Sequence, residues 1–171
     1  MNKMPKDKYL IQSPKGETLS DGEKAKLQAA LNKIGIPSKD WRFVVLPDQD
    51  WKDATQSNSL PHPTDTAFSN LLAKVTYLHQ KVLQGSDDSL IRTLAHEQGH
   101  ARLNTTSEDN ANAYMRNSMA EIKKYGRTNN AANAALQDQV AERQNQFQPT
   151  SAPIATQLSD APYSLARSQR P

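Results

Sequence analysis

The chain has 171 residues, a length that suits one domain with short extensions. Hydrophobic residues make up only 36% and the net charge is +3, so we expect a modest core and no basic surface for nucleic acid. Cysteine is absent, which excludes disulfides and thiolate metal sites. No apolar run approaches the roughly 20 residues of a membrane span, so we expect none.

Residues 1–19 are polar and contain two prolines and a glycine, a composition that predicts an N-terminal arm. The first ten residues are too polar for a signal peptide. Any secretion is therefore expected to be signal-independent, unless the chain is a fragment of a larger protein.

The first regular elements are a helix and a strand. Ser20 and Glu23 form a capping-box pattern ahead of an apolar periodicity of helical spacing, which Gly35 ends. Residues 41–46 (WRFVVL) are β-branched and aromatic and predict a strand.

Residues 48–64 predict a polar loop, in which Trp51 is either a core plug or a wall of a cleft. A short edge strand is predicted over residues 67–72, where an extended peptide could pair, and another strand over residues 74–78. His79, which ends that strand, is interpreted as a surface residue or as a cleft residue.

A helix is predicted from about residue 87 to about residue 103, with Ser86 as its N-cap. It carries His96-Glu97-Gln98-Gly99-His100, the H-E-x-x-H pattern. Residues i and i+4 share one face of a helix, so both imidazoles can reach one zinc ion. Glu97 is then placed to act as a general base toward a zinc-activated water.

A catalytic zinc site needs a third protein ligand. Glu108 opens a second helical pattern, which ends near residues 125–126. The apolar stripe of this pattern comprises Ala111, Met115, Met119 and Ile122. Glu108 prolongs the stripe, whereas Asp109 is turned about 100° away, so Glu108 is the predicted ligand. Asn112, one turn further, is a predicted hydrogen-bond partner of a ligand.

An interpretation of these residues without a bound metal ion is also possible. Histidines at i and i+4 can be surface residues, and Glu108 can be a capping-box glutamate. That reading leaves the joint placement of three ligands and a base unexplained.

The composition changes after residue 126. Residues 129–147 are rich in alanine, asparagine and glutamine and predict a third helix. The apolar residues expected on this helix are Ala132, Leu136, Val140 and Phe147. Residues 148–171 contain four prolines and predict an extended tail, which leaves residues 20–147 as the domain.

The spacing His96-Glu97-x-x-His100 and then Glu108-x-x-Ala111-Asn112 resembles the gluzincin peptidases, whose second motif commonly reads Glu-x-x-Ala-Asp or Glu-x-x-Ala-Asn. The resemblance covers about residues 67–114. The gap between the two ligand helices is shorter than in many gluzincins. It is similar to the gap in compact bacterial metallopeptidase domains, including the toxin domains of Rhs-type and filamentous-haemagglutinin-type secreted proteins.

The resemblance implies a small α+β zincin-like fold, with a short mixed sheet, an active-site helix and a following ligand helix. It implies a zinc-dependent metalloendopeptidase that acts on a protein or peptide substrate, with Zn²⁺ held by His96, His100 and Glu108. The setting it implies is a bacterial toxin or effector, cytoplasmic in the producer before export to a target cell. An immunity or carrier protein is a further expected partner.

Three points stay open at this stage. The donor to the oxyanion is expected among His79, Tyr114 and Asn112. A zincin-fold module that binds a partner without turnover is an alternative function, as is a zinc amidase acting on cell-wall peptides.

Overall fold

The computed structural model describes residues 10–12, 19–57 and 66–146. In these ranges the chain has an α+β fold with six helices and one mixed sheet, which confirms the predicted class. The elements in chain order are β1 (Leu10–Gln12), α1 (Asp21–Ile34), β2 (Arg42–Leu46), α2 (Asp48–Ser57), β3 (Ala67–Asn70), β4 (Val75–His79), α3 (Lys81–Gln84), α4 (Asp87–Leu103), α5 (Glu108–Tyr125) and α6 (Ala131–Gln146).

The sheet has four strands in the order β1-β2-β4-β3. Strands β1, β2 and β4 are parallel, and β3 is antiparallel to β4 at the edge of the sheet. The predicted edge strand stops at Asn70, because its side-chain oxygen accepts the N–H of Ala73 at 3.0 Å and starts a turn. Strand β3 therefore keeps one long side free of the other three strands.

Two segments differ from the prediction. The sheet begins inside the predicted arm, where β1 pairs with β2 and Ile11 packs against the core. The predicted loop over residues 48–64 is wrong for its first ten residues, which form α2. Asp48 and Asp50 suit the first turn of this helix, and Trp51 turns inward and is buried, which confirms it as a plug.

The main core lies between the sheet and helices α1 and α4. Helix α1 begins with the predicted capping box, in which Ser20 and Glu23 bond each other's backbone N–H. The largest fully buried core side chains on these elements are Phe43, Leu27, Leu31, Ile34, Leu78, Leu90 and Leu94. This packing fixes α4, the helix that carries the H-E-x-x-H pattern, along the sheet.

Helix α6 is attached to α5 mainly by polar contacts. The buried carboxylate of Glu121 accepts the backbone N–H groups of Asn129, Asn130 and Ala132, at 2.9, 3.0 and 2.6 Å. Asn133 is fully buried and donates to Ser118 at 3.1 Å. The expected apolar stripe is therefore only partly right.

Along that stripe, Val140 is buried and Leu136 packs on it, whereas Ala132 is exposed. Phe147 and the predicted tail, residues 148–171, lie outside the described residues. Among the helices that are described, none is long and apolar enough to cross a membrane.

Candidate metal centre

Helix α4 has the predicted bounds and holds the motif at the rim of the core. Ser86 caps it by accepting the N–H of Ser89 at 3.1 Å. Leu94 and Ala95 are fully buried, while His96 and His100 are half-buried on the neighbouring face. Only 22% of the His96 side chain and 13% of the His100 side chain are exposed, so both imidazoles are largely shielded from bulk water.

Helix α5 brings Glu108 to the histidines. Ser107 is its N-cap and accepts the N–H of Asn110, so Glu108 is the first residue of the helix. The two helices cross very closely at Gly99. A Cβ at that position would lie 2.7 Å from the Cα of Ala111 and 2.9 Å from its carbonyl oxygen. Only glycine permits this crossing without a shift of α5.

The three predicted ligands converge. The Nε2 atoms of His96 and His100 lie 3.2 Å apart. The carboxylate oxygens of Glu108 lie 3.1 Å from Nε2 of His96 and 3.4 Å from Nε2 of His100. Among the described residues, these three form the one cluster of histidine and acidic side chains close enough to share an ion. Asp109 is exposed and stands outside it.

Hydrogen bonds orient both imidazoles. Nδ1 of His100 lies 2.9 Å from the carbonyl oxygen of Thr105, which can only accept, so Nδ1 carries the hydrogen. Nδ1 of His96 lies 3.1 Å from Oδ1 of Asn112, the contact expected from the sequence. In the neutral rings, both Nε2 atoms therefore present lone pairs to each other and to Glu108.

This donor set fits a tetrahedral metal ion. Three acceptors held this close repel one another unless a cation or a proton lies between them. Donor atoms about 2.0–2.1 Å from a tetrahedral zinc ion are about 3.4 Å apart, close to the three separations given above. Two imidazoles and one carboxylate also leave one position of a tetrahedron open.

A cleft of about 800 Å³ opens beside the cluster. Its lining includes Thr66, which precedes β3, and Phe68 and Ser69 of β3. It also includes Arg92 and Thr93 of α4 and Met115 of α5. Glu97 also lines the cleft, although it is only 6% exposed. A carboxylate in such a place can reach a molecule in the cleft while being shielded from bulk water.

The free side of β3 borders this cleft. The N–H of His79 donates to the carbonyl of Thr66 at 2.8 Å, so residue 66 bonds toward β4. Because alternate residues of an antiparallel strand bond to opposite sides, Ala67 and Ser69 direct their N–H and C=O groups away from β4. These groups can pair with another extended chain.

Both interpretations of His79 are wrong. It is buried, because Trp51 of α2 packs edge-on against it with ring centroids 5.3 Å apart. Its Nδ1 accepts the N–H of Lys81 and its Nε2 lies 2.8 Å from Oδ1 of Asp48. Burial and the charge of Lys81 lower the pKa of His79, so the neutral ring fastens α2 to β4.

The expectation for Tyr114 is also wrong. The side chain is only 1% exposed, and its hydroxyl donates to Oδ1 of Asn130 at 2.8 Å. Burial raises the pKa of Tyr114 to about 12. Asn112 uses its side-chain oxygen to hold His96, so it orients one of the three predicted ligands.

Sequence reasoning missed two residues that shape the site, Gly99 and Thr105. Gly99 is recognisable as a glycine inside a helix, where it costs about 1 kcal/mol relative to alanine and so indicates close packing. Thr105 acts through its backbone carbonyl, which leaves no mark in the sequence. Comparison with protein-family models, curated proteins and solved structures gives no match.

Proposed function

We propose that the protein is a zinc-dependent metallopeptidase. The observation that carries the proposal is the convergence of His96, His100 and Glu108 on one point of a cleft that the carboxylate of Glu97 also lines. A purely structural zinc site would not require Glu97.

Zinc held by these three residues would supply Lewis acidity, which polarises a scissile carbonyl and acidifies a water molecule. Glu97 accepts the proton of the attacking water and delivers it to the departing amine nitrogen. Asn112 and the carbonyl of Thr105 hold the two imidazoles in the tautomer that binds metal. Because Glu97 is shielded from bulk water, few solvent molecules compete with the attacking water for its carboxylate.

The free side of β3 supports a peptide as the substrate. An extended chain in the cleft can pair with the backbone groups of Ala67 and Ser69 while its carbonyls pass the histidines. Such pairing binds any extended backbone, so it positions the substrate and leaves selectivity to side chains. The toxin or effector setting, like the kinship with gluzincins, rests on the sequence resemblance.

The proposal is tested by zinc titration of matched variants. We expect one zinc per chain in protein purified without an affinity tag. Glu108→Ala should weaken zinc binding at least about tenfold, since it removes one of three ligands. Asp109→Ala removes the same charge from the next residue and should change the affinity less than about twofold. Equal losses, or no zinc after reconstitution, would contradict the proposal.

A further inference from the structure

Arg92 occupies a place in the cleft that the proposed reaction does not explain. It lies on α4 four residues before His96, on the same face of the helix, and lines the cleft. The two residues are about 6 Å apart along the helix axis. Arg92 is the cationic side chain in the lining of the cleft formed by the described residues.

The guanidinium of Arg92 is only partly engaged. Its Nε donates to Oδ2 of Asp88 at 2.7 Å, one turn earlier on the helix. Its two terminal nitrogens make no hydrogen bond to any residue in the described ranges. Asp88 therefore fixes one edge of the guanidinium and leaves donors on the terminal nitrogens for another acceptor.

The charges of the cleft favour an acidic partner for those donors. Its two lining carboxylates, Glu97 and Glu108, have roles in the proposed reaction as base and metal ligand. A bound dication would offset both of these charges. Asp88 offsets the charge of Arg92 only in part, because both side chains of that ion pair are more than half exposed to water. The terminal nitrogens of Arg92 then face the substrate, and planar pairs of N–H groups on a guanidinium match a carboxylate.

We propose that Arg92 selects substrates that carry a carboxylate about two residues from the cleaved bond. For a peptide that runs along α4, the backbone spacing of about 6 Å between Arg92 and His96 corresponds to about two residues, because an extended chain advances about 3.3 Å per residue. The inference rests on the proposed function for the position of the cleaved bond. Recognition of an acidic side chain by Arg92 is a binding property that can be measured without turnover.

The test uses short fluorescent peptides that are otherwise uncharged. Each peptide carries one glutamate at a different position, and a matched peptide carries glutamine at the same position. Binding is measured by anisotropy to zinc-loaded Glu97→Gln protein, and kcat/KM is measured with wild type. At one peptide position, the protein should bind the glutamate peptide about tenfold more tightly than the glutamine peptide. Arg92→Gln should reduce that preference to below about twofold and leave binding of the glutamine peptide unchanged.

Arg116→Gln, on the exposed face of α5, is the matched control and should keep the preference. A glutamate preference that survives in Arg92→Gln, or equal binding of both peptides by the protein with Arg92, would overturn the inference and leave Arg92 as a surface ion pair only. Arg92-dependent binding without any cleavage by wild type would refute the peptidase while supporting acidic recognition.

Discussion

Gly99→Ala is the substitution that most directly perturbs the geometry of the candidate metal centre without changing a predicted ligand. The added Cβ would lie 2.7 Å from the Cα of Ala111 and 3.0 Å from the Cβ of Tyr114. Carbon atoms in ordinary contact are about 3.5–4.0 Å apart, so α5 has to move away from α4 by about 1 Å. Glu108 sits less than one turn from Ala111 and moves with it.

The stability and the zinc affinity should respond differently. Overpacking costs about 1–3 kcal/mol, and alanine regains about 1 kcal/mol of helix propensity, so the net loss of stability is about 0–2 kcal/mol. A metal site tolerates errors in ligand distance of only about 0.2 Å. Since rotation of the Glu108 side chain recovers part of a 1 Å displacement, we expect a loss of zinc affinity of about tenfold.

The zinc affinity is measured by competition with a chromogenic chelator, and stability by thermal unfolding of the metal-free protein. Gly22→Ala is the control, because a Cβ there meets nothing closer than the hydroxyl of Ser20 at 4.0 Å. Ala111→Gly should not rescue Gly99→Ala, since the close contacts at residue 111 are with backbone atoms. Wild-type zinc affinity in Gly99→Ala would refute the argument that this crossing sets the ligand distances.

Three further substitutions test other parts of the structure. Asn112→Ala removes the acceptor of Nδ1 of His96 and should lower zinc affinity at least about tenfold in chelator competition, whereas Asn110→Ala should not. Glu121→Gln weakens three hydrogen bonds to the start of α6, so denaturant titration should show a loss of about 1–3 kcal/mol and exchange of α6 amides should accelerate with zinc affinity unchanged. His79 has a folded-state pKa below the ordinary 6.5, so the unfolded chain binds more protons and stability falls as pH drops below about 6.5. His79→Gln should reduce this slope in the metal-free protein, and an unchanged slope would contradict the assignment.

The sequence was most informative where local chemistry decides the structure. The bounds of α4 follow from its capping serine, Ser86, and from its apolar periodicity. The apolar stripe of α5 sets the phase of that helix, so the helical phase of His96, His100 and Glu108 could be predicted. The contact of Asn112 with His96 followed from the same phase. These are interactions within one helix or between two consecutive helices.

Other features depend on neighbours that are distant in the chain. Helix α2 is polar apart from a few residues, and Phe68 and His79, the aromatic partners of Trp51, lie on strands β3 and β4. The burial of His79 is decided by the same tertiary contact. The polar interface of α6 depends on Glu121, whose carboxylate oxygens accept backbone N–H groups eight to eleven residues later in the chain. An apolar periodicity cannot reveal an interface of this kind.

The central claim is that Glu97 transfers protons in a zinc-dependent cleavage of peptide bonds. The most direct measurement compares zinc-loaded wild type with zinc-loaded Glu97→Gln by mapping new terminal amines in a peptide mixture. We expect equal zinc content in both proteins, and cleavage that is about 10²–10⁴-fold slower in the variant. Zinc-replete wild type that cleaves no peptide, or a variant that cleaves at the wild-type rate, would contradict the account.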